Sequence, residues 1–220
     1  MTTAEMTTTV SETLADVLEH LGDMPPNRIR FRPAMGTATE ADVLAIQARE
    51  GRLYELVDGT LVEKAMGFRE SYLAIRLSAL LWNFVTEHRL GIVTGEAGMM
   101  RLLSGLVRIP DVAFIAWERL PNRRIPSEPI PDIAPNLAVE VLSAGNTAGE
   151  MARKRQEYFD AGVQLLWQID PQSRTVEVFT APAQATLLHA EATLDGGSVL
   201  PGFRLPLPTL FAELDLQGEA

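Results

Sequence analysis

A chain of 220 residues that is 46% hydrophobic can bury one substantial core and reads as a single domain. The absence of cysteine excludes disulfides and thiolate chemistry, so a metal would have to be held by oxygen or imidazole. A net charge of −10 argues against a nucleic-acid binder that relies on broad electrostatic attraction, while leaving room for a local basic surface.

Residues 1–33 lack the basic segment and apolar run of a secretory signal, and no stretch reaches membrane-spanning length. A cytoplasmic protein without membrane association is expected. Those residues read as an irregular or weakly helical extension, followed by a domain over 34–215 and a short tail, 216–220. Thr37 with Glu40, or Thr39 with Asp42, has the spacing to cap a short helix through Val43, Leu44 and Ile46. The alternating residues 52–63 around Asp58-Gly59 predict a hairpin.

A helix is predicted over 70–87, where Leu73, Leu77, Leu80, Leu81 and Phe84 recur at three- and four-residue spacing. Gly91 is expected to end it and lead into the strand 92–94. A turn and strand follow over 102–109, then a largely buried strand over 111–115 with Pro110 at its start. The proline-rich residues 121–135 are expected to form an ordered loop bordering a site. Within 118–128, Arg119, Arg123 and Arg124 offer contacts to phosphate, or else a solvated excursion.

The sheet resumes over 137–142. Thr147 and Glu150 have capping-box spacing for a helix over 148–161 that ends at Gly162. Strands are predicted over 164–169 and 175–179, with two more near 186–190 and 203–207, the last confined to an edge by Pro206. Hairpins mixed with strand-helix-strand crossovers give an α/β (mixed α+β) class.

Nineteen basic residues include only two lysines, Lys64 and Lys154, a scarcity that genomic composition alone would also produce. Glu140 stands inside the apolar run 137–142 and would share a strand face with Ala138 and Leu142. Burying an unpartnered carboxylate costs several kcal/mol in typical effective terms, on the order of what a metal could offset; otherwise Glu140 faces solvent at an edge. Asp111 opens a similar strand, as a second metal ligand or as a turn residue after Pro110. Two such acids suit magnesium, leaving positions for water and a phosphate oxygen.

Lys154 lies less than two turns into its helix and leans back toward the end of the preceding strand, where it would activate water or stabilise a phosphate. A local salt bridge to Glu150, four residues earlier, is the structural alternative. Glu55, on the first hairpin strand, either supplies another carboxylate to the metal, orients its water, or faces solvent. Tyr158 would steady the Lys154 helix face or pack on the sheet. His20, His88 and His189 lack ligand-like spacing and read as ordinary residues.

The order of several phrases resembles the Uma2-like (DUF820) family of the PD-(D/E)xK nuclease superfamily. They are 54–59 (YELVDG), 109–112 (IPDV), 139–143 (VEVLS), 146–150 (NTAGE), Lys154 through Tyr158, Gly162-Val163 and 167–171 (WQIDP). The resemblance spans about residues 39–211. It implies a restriction-endonuclease-like core, with a central mixed sheet flanked by helices and an N-terminal hairpin. Position 142 is leucine, so the usual acid-x-lysine strand motif is absent, and the resemblance moves the lysine's role to Lys154 on the following helix. By the same carry-over Asp111 and Glu140 are metal ligands and Glu55 an auxiliary acid. Ser143 lacks the proline that often follows it in the family.

The expectation is a Mg2+-dependent endonuclease, with Mn2+ as a substitute, that hydrolyses DNA as a homodimer. A non-catalytic nucleic-acid or protein interaction module with the same fold is the alternative. A nucleotide hydrolase is disfavoured, because no phosphate-cradling glycine motif is present.

Overall fold

The computed structural model describes residues 13–65 and 67–214. In the predicted hairpin, Asp58 and Gly59 have φ of 47° and 70°, the positive angles that a tight two-residue turn requires. They join β2 (Tyr54–Val57) to β3 (Thr60–Glu63), and β1 (Ile29–Arg30) pairs with β3. A second hairpin, β5 (Met100–Leu103) and β6 (Leu106–Arg108), joins through β6 to give a five-stranded sheet of order β1-β3-β2-β6-β5. Helix α2 (Glu40–Glu50) covers one face, packing Val43 and Ile46 with Tyr54, Leu56, Leu61 and Val107. Of the two candidate caps, Thr39 and Asp42 form it: Asp42 Oδ2 accepts from the Thr39 N–H at 2.8 Å and from its hydroxyl at 2.7 Å.

A six-stranded sheet carries the main core. Its strands are β4 (Gly91–Thr94), β7 (Val112–Ala116), β8 (Leu137–Val141), β9 (Leu165–Asp170), β10 (Thr175–Ala181) and β11 (Gln184–Leu188), in the order β11-β10-β9-β8-β7-β4. β8 and β9 are parallel, linked by α4 (Ala148–Asp160), and the other neighbours are antiparallel, so the sheet is mixed. Along β8 the side chains alternate as predicted. Leu137, Val139 and Val141 pack with Leu73, Leu77 and Leu81 of α3 (Phe68–Glu87), whereas Ala138 turns to the opposite core, which holds Tyr158. Each such side chain, fully buried, stabilises the fold by about 1.5–3 kcal/mol. The face bearing Ala138 also bears Glu140, and α4 lies over it.

Three differences from the sequence expectations have physical reasons. Gly91 does not end α3. The helix closes at His88, whose N–H bonds to Phe84 O, and Arg89 takes the left-handed turn (φ 55°). Gly91 instead starts β4, where a Cβ would come within 2.0 Å of Ile115 O, so the glycine serves a close strand approach. Of the two late strands, the first is β11, which edges the six-stranded sheet, but the second does not join it: β13 (Arg204–Pro206) pairs with β12 (Thr193–Asp195) in a separate two-stranded ribbon leading into α5 (Leu207–Phe211), whose Leu207, Leu210 and Phe211 seal the α3 core.

Residues 13–33, read as an extension, contribute α1 (Leu14–His20) and β1, and bury Leu21, Met24 and Ile29 beneath the five-stranded sheet. Leu14, Val17, Leu18 and Leu21 do recur at helical spacing, but over only two turns, a signal too short to mark more than a weak helix. The expected loop over 121–135 is irregular apart from one 3-10 turn, Pro121–Arg123, and is anchored by buried Ile130 and Ile133. Residues 1–12 and the predicted tail, 216–220, lie outside the described residues.

A buried acid-lysine cluster as candidate active site

Asp111 and Glu140 stand at one end of the adjacent strands β7 and β8. The Asp111 N–H bonds to Val139 O at 3.0 Å, and Asp111 Oδ2 accepts from the Val141 N–H at 2.6 Å, which fixes the carboxylate against the neighbouring strand. Glu140 projects toward α4. There Lys154 Nζ lies 3.1 Å from Glu140 Oε2, and the Tyr158 hydroxyl donates to Glu140 Oε1 at 2.5 Å. Lys154 and Tyr158 are four residues apart, so one helix face presents both to the same carboxylate.

Glu55 arrives from the other sheet. Its Oε1 accepts from the Ile109 N–H at 3.1 Å and lies 3.3 Å from Lys154 Nζ, while Oε2 takes Arg108 at 2.7 Å. All four residues singled out in the sequence, Glu55, Asp111, Glu140 and Lys154, therefore meet at the seam between the two sheets and α4. They are nearly inaccessible, at 0, 5, 5 and 3% exposure.

Glu150 does not hold Lys154. It is engaged instead by Arg28, in paired contacts of 2.8 and 2.9 Å, and by Asn146 at 3.1 Å. This also explains why the predicted capping box is half formed. Thr147 Oγ1 accepts from the Glu150 N–H, but the Glu150 side chain is used elsewhere.

Sequence reasoning passed over two further members. Lys64, one residue beyond β3, turns inward and sets Nζ 2.8 Å from Asp111 Oδ1; it also donates to Ile109 O. Arg108 on β6 divides its guanidinium between Glu55 and Glu157 of α4. The lysine scarcity was a signal for Lys64: the only two lysines in the chain both lie in this cluster.

Charge is distributed unevenly. Burial raises the Glu55 carboxyl, but Lys154, Arg108, Lys64 and the Ile109 N–H outweigh it, and Glu55 ionises well below the usual range. Burial also raises Glu140. There Lys154 and Lys64 oppose the shift while the neighbouring Asp111 and Glu55 charges add to it, and the net direction is up. Burial works against the Lys154 ammonium, yet Glu140 and Glu55 hold it protonated well above its ordinary range. Burial and the same two carboxylates push Tyr158 far up, so its hydroxyl remains a donor. Glu140, sharing Lys154 with Glu55, is the acid least compensated by protein cations.

Among the described residues, no group of three or more His, Cys, Asp or Glu comes together as a metal cage. Asp111 and Glu140 nevertheless fit a hard divalent ion, since magnesium is commonly held by one or two carboxylates with water and phosphate completing the shell. The under-compensated Glu140 is the kind of charge such an ion would match. A cleft of about 680 Å³ borders the cluster through Leu142, Met151 and Gln168 (the last paired in register with Glu140) and carries Arg69 and Arg155. An open depression of about 410 Å³ adjoins it and is lined in part by Lys64 and Ser143. In the arginine loop, Arg119 is tied to the carbonyls of Ala134, Pro135 and Gly162, whereas Arg123 and Arg124 are exposed. His20 pairs with Asp58 at 2.9 Å, and His88 stacks on Phe84.

A structure titled as that of a "putative nuclease belonging to DUF820" from Anabaena variabilis superposes with a TM-score of 0.66. The match is 22% identical and covers 74% of this chain and 91% of that one, a likeness of fold. No curated protein matches. A sequence profile matches residues 40–208, which include every member of the acid-lysine cluster, and the chain therefore belongs to the Uma2 family, described as "Putative restriction endonuclease".

Proposed function

We propose that this protein is a divalent-metal-dependent endonuclease that hydrolyses DNA phosphodiester bonds, with Mg2+ as the ion and Mn2+ able to replace it. The observation that carries the reading is the meeting of Asp111, Glu140 and Lys154, drawn from two strands and a helix, beside a cleft. Asp111 and Glu140 would hold the ion. When bound, it would supply Lewis acidity toward a phosphate oxygen and a more acidic water.

The protein's own groups set the rest. Lys154, held as an ammonium, acts through its charge and its protons and not as a base, favouring the negative charge that builds on the phosphate. Glu55, engaged by Arg108 and the Ile109 N–H, holds Lys154 in place. Tyr158 fixes the rotamer of Glu140. Burial of the cluster strengthens each of these interactions by keeping water out.

The test is cleavage of supercoiled, linear and single-stranded DNA with Mg2+ or Mn2+ by purified protein and by Glu140→Gln. The parent cuts, EDTA stops it, and Glu140→Gln folds but loses cleavage by about a hundredfold or more. Undiminished cleavage by Glu140→Gln would refute the assignment.

Two copies pairing through α3, and action in the cytoplasm, belong to the same proposal. Phe68, Ile75 and Trp82 recur every seven residues along the outward face of α3 and are exposed, an apolar stripe suited to a second helix. That stripe equally supports the alternative of a non-catalytic interaction module. Binding of DNA or a protein partner without any metal-dependent cleavage would favour it. Among the described residues, no helix is long and apolar enough to cross a membrane.

A further inference from the structure

Resting on the reading that Asp111 and Glu140 hold a divalent ion, the geometry points to a role for Lys64. Its ammonium lies 2.8 Å from Asp111 Oδ1, while Asp111 Oδ2 is taken by the Val141 N–H at 2.6 Å, so both oxygens of this carboxylate are satisfied by the protein alone. An ammonium at that distance and a divalent ion on the same oxygen compete for the same charge. Lys64 also has somewhere to go. It follows β3 directly, and its residue lines the open depression beside Ser143 and Gly145.

We infer that Lys64 is a built-in stand-in cation. It holds Asp111 in place while no ion is bound and releases the carboxylate when one arrives, which sets the concentration of ion the site requires. Lys154 cannot play this part, because it is shared between Glu140 and Glu55 and is backed by Arg108 through Glu55. Lys64 is thus a positioning residue whose effect is read in ion affinity.

The experiment is Mn2+ binding to the full chain, measured by calorimetry and by the electron paramagnetic resonance of free Mn2+. The proteins are the parent, Lys64→Met, Lys64→Gln and Lys64→Arg, each with and without Asp111→Asn. Removing the competing charge tightens Mn2+ binding by about tenfold or more in Lys64→Met and Lys64→Gln. Lys64→Arg stays near the parent, and Asp111→Asn abolishes the site in every background. Thermal stability of Lys64→Met falls without the ion and is restored by Mn2+ more than the parent's is. If Lys64→Met fails to fold, Lys64→Gln, which can still donate to Asp111, carries the comparison.

Equal or weaker Mn2+ binding in Lys64→Met and Lys64→Gln would overturn the inference while leaving the metal site intact. Binding that appears only once Lys64 is neutralised would support it in its strongest form. No binding in any of these proteins would overturn the metal site and this inference together.

Discussion

The Glu55–Arg108 pair is the deepest in the cluster, 2.7 Å long with side chains 0% and 1% exposed. Removing one member leaves the other buried with one charged partner fewer, Arg108 with Glu157 and Glu55 with Lys154, a loss of about 1.5–3 kcal/mol. For a chain of this size each kcal/mol shifts Tm by about 2–4 °C, so Glu55→Gln or Arg108→Met should lower it by roughly 3–12 °C. In the double variant Lys154 keeps Glu140, and Glu157 keeps Arg153 at 2.7 Å, so neither remaining charge is stranded. The double cost should fall short of the sum by roughly 1–3 kcal/mol. Urea unfolding of the four proteins at neutral pH without divalent ions, followed by circular dichroism, measures the cycle. Single costs below about 1 kcal/mol, or costs that add within about 0.5 kcal/mol, would refute the view that this pair is a coupled support for Lys154. The same proteins separate two roles for Glu55. As a support it leaves Mn2+ affinity intact in Glu55→Gln, and as a ligand it does not.

Other outcomes follow from the same geometry. Because the Glu140 carboxyl titrates above its unfolded value, the folded chain binds that proton more tightly, and this residue's contribution to stability declines as pH rises through the window above about 4.5. In metal-free urea titrations from pH 4.5 to 8, Glu140→Gln should gain stability relative to the parent as pH rises; a constant difference would contradict the shift. Gly22→Ala should cost more than about 1 kcal/mol, because φ is +83° there and a Cβ would lie 2.3 Å from the backbone at Gly149 and Glu150. An unchanged urea midpoint would count against that contact between the loop after α1 and the start of α4. Ile75→Glu, exposed on α3, should leave the fold intact and convert the proposed dimer to a monomer in sedimentation. A dimer that persists removes α3 as its interface.

How much could be read from the sequence depended on the range of the interaction involved. The 52–63 hairpin, α3 and α4 follow from spacing and local turn chemistry, and the alternation along β8 put Glu140 on the face away from Leu137, Val139 and Val141, where it stands. The ordered phrases that resemble the family added Asp111 and Lys154 to the same place. Long-range pairings were not legible. Arg28 meets Glu150 across 122 positions and Arg108 meets Glu157 across 49, and no local pattern encodes which acid an arginine will find. Glu150 looked like the natural partner of Lys154 because helical spacing favours it, but buried guanidinium chemistry claimed it first. Gly91 misled for a related reason: a glycine that serves strand proximity reads the same as one that ends a helix.

Both lysine side chains are enclosed, and arginine supplies the remaining side-chain cations other than histidine. Acylating reagents, amine crosslinkers and enzymes that tag lysine would therefore meet no ready side-chain amine on the native surface, and coupling to such a support would favour opened molecules. Labelling at Lys64 or Lys154 becomes a reporter of unfolding or of the cluster coming apart, and attachment chemistry for this protein is better directed at carboxylates or an added tag.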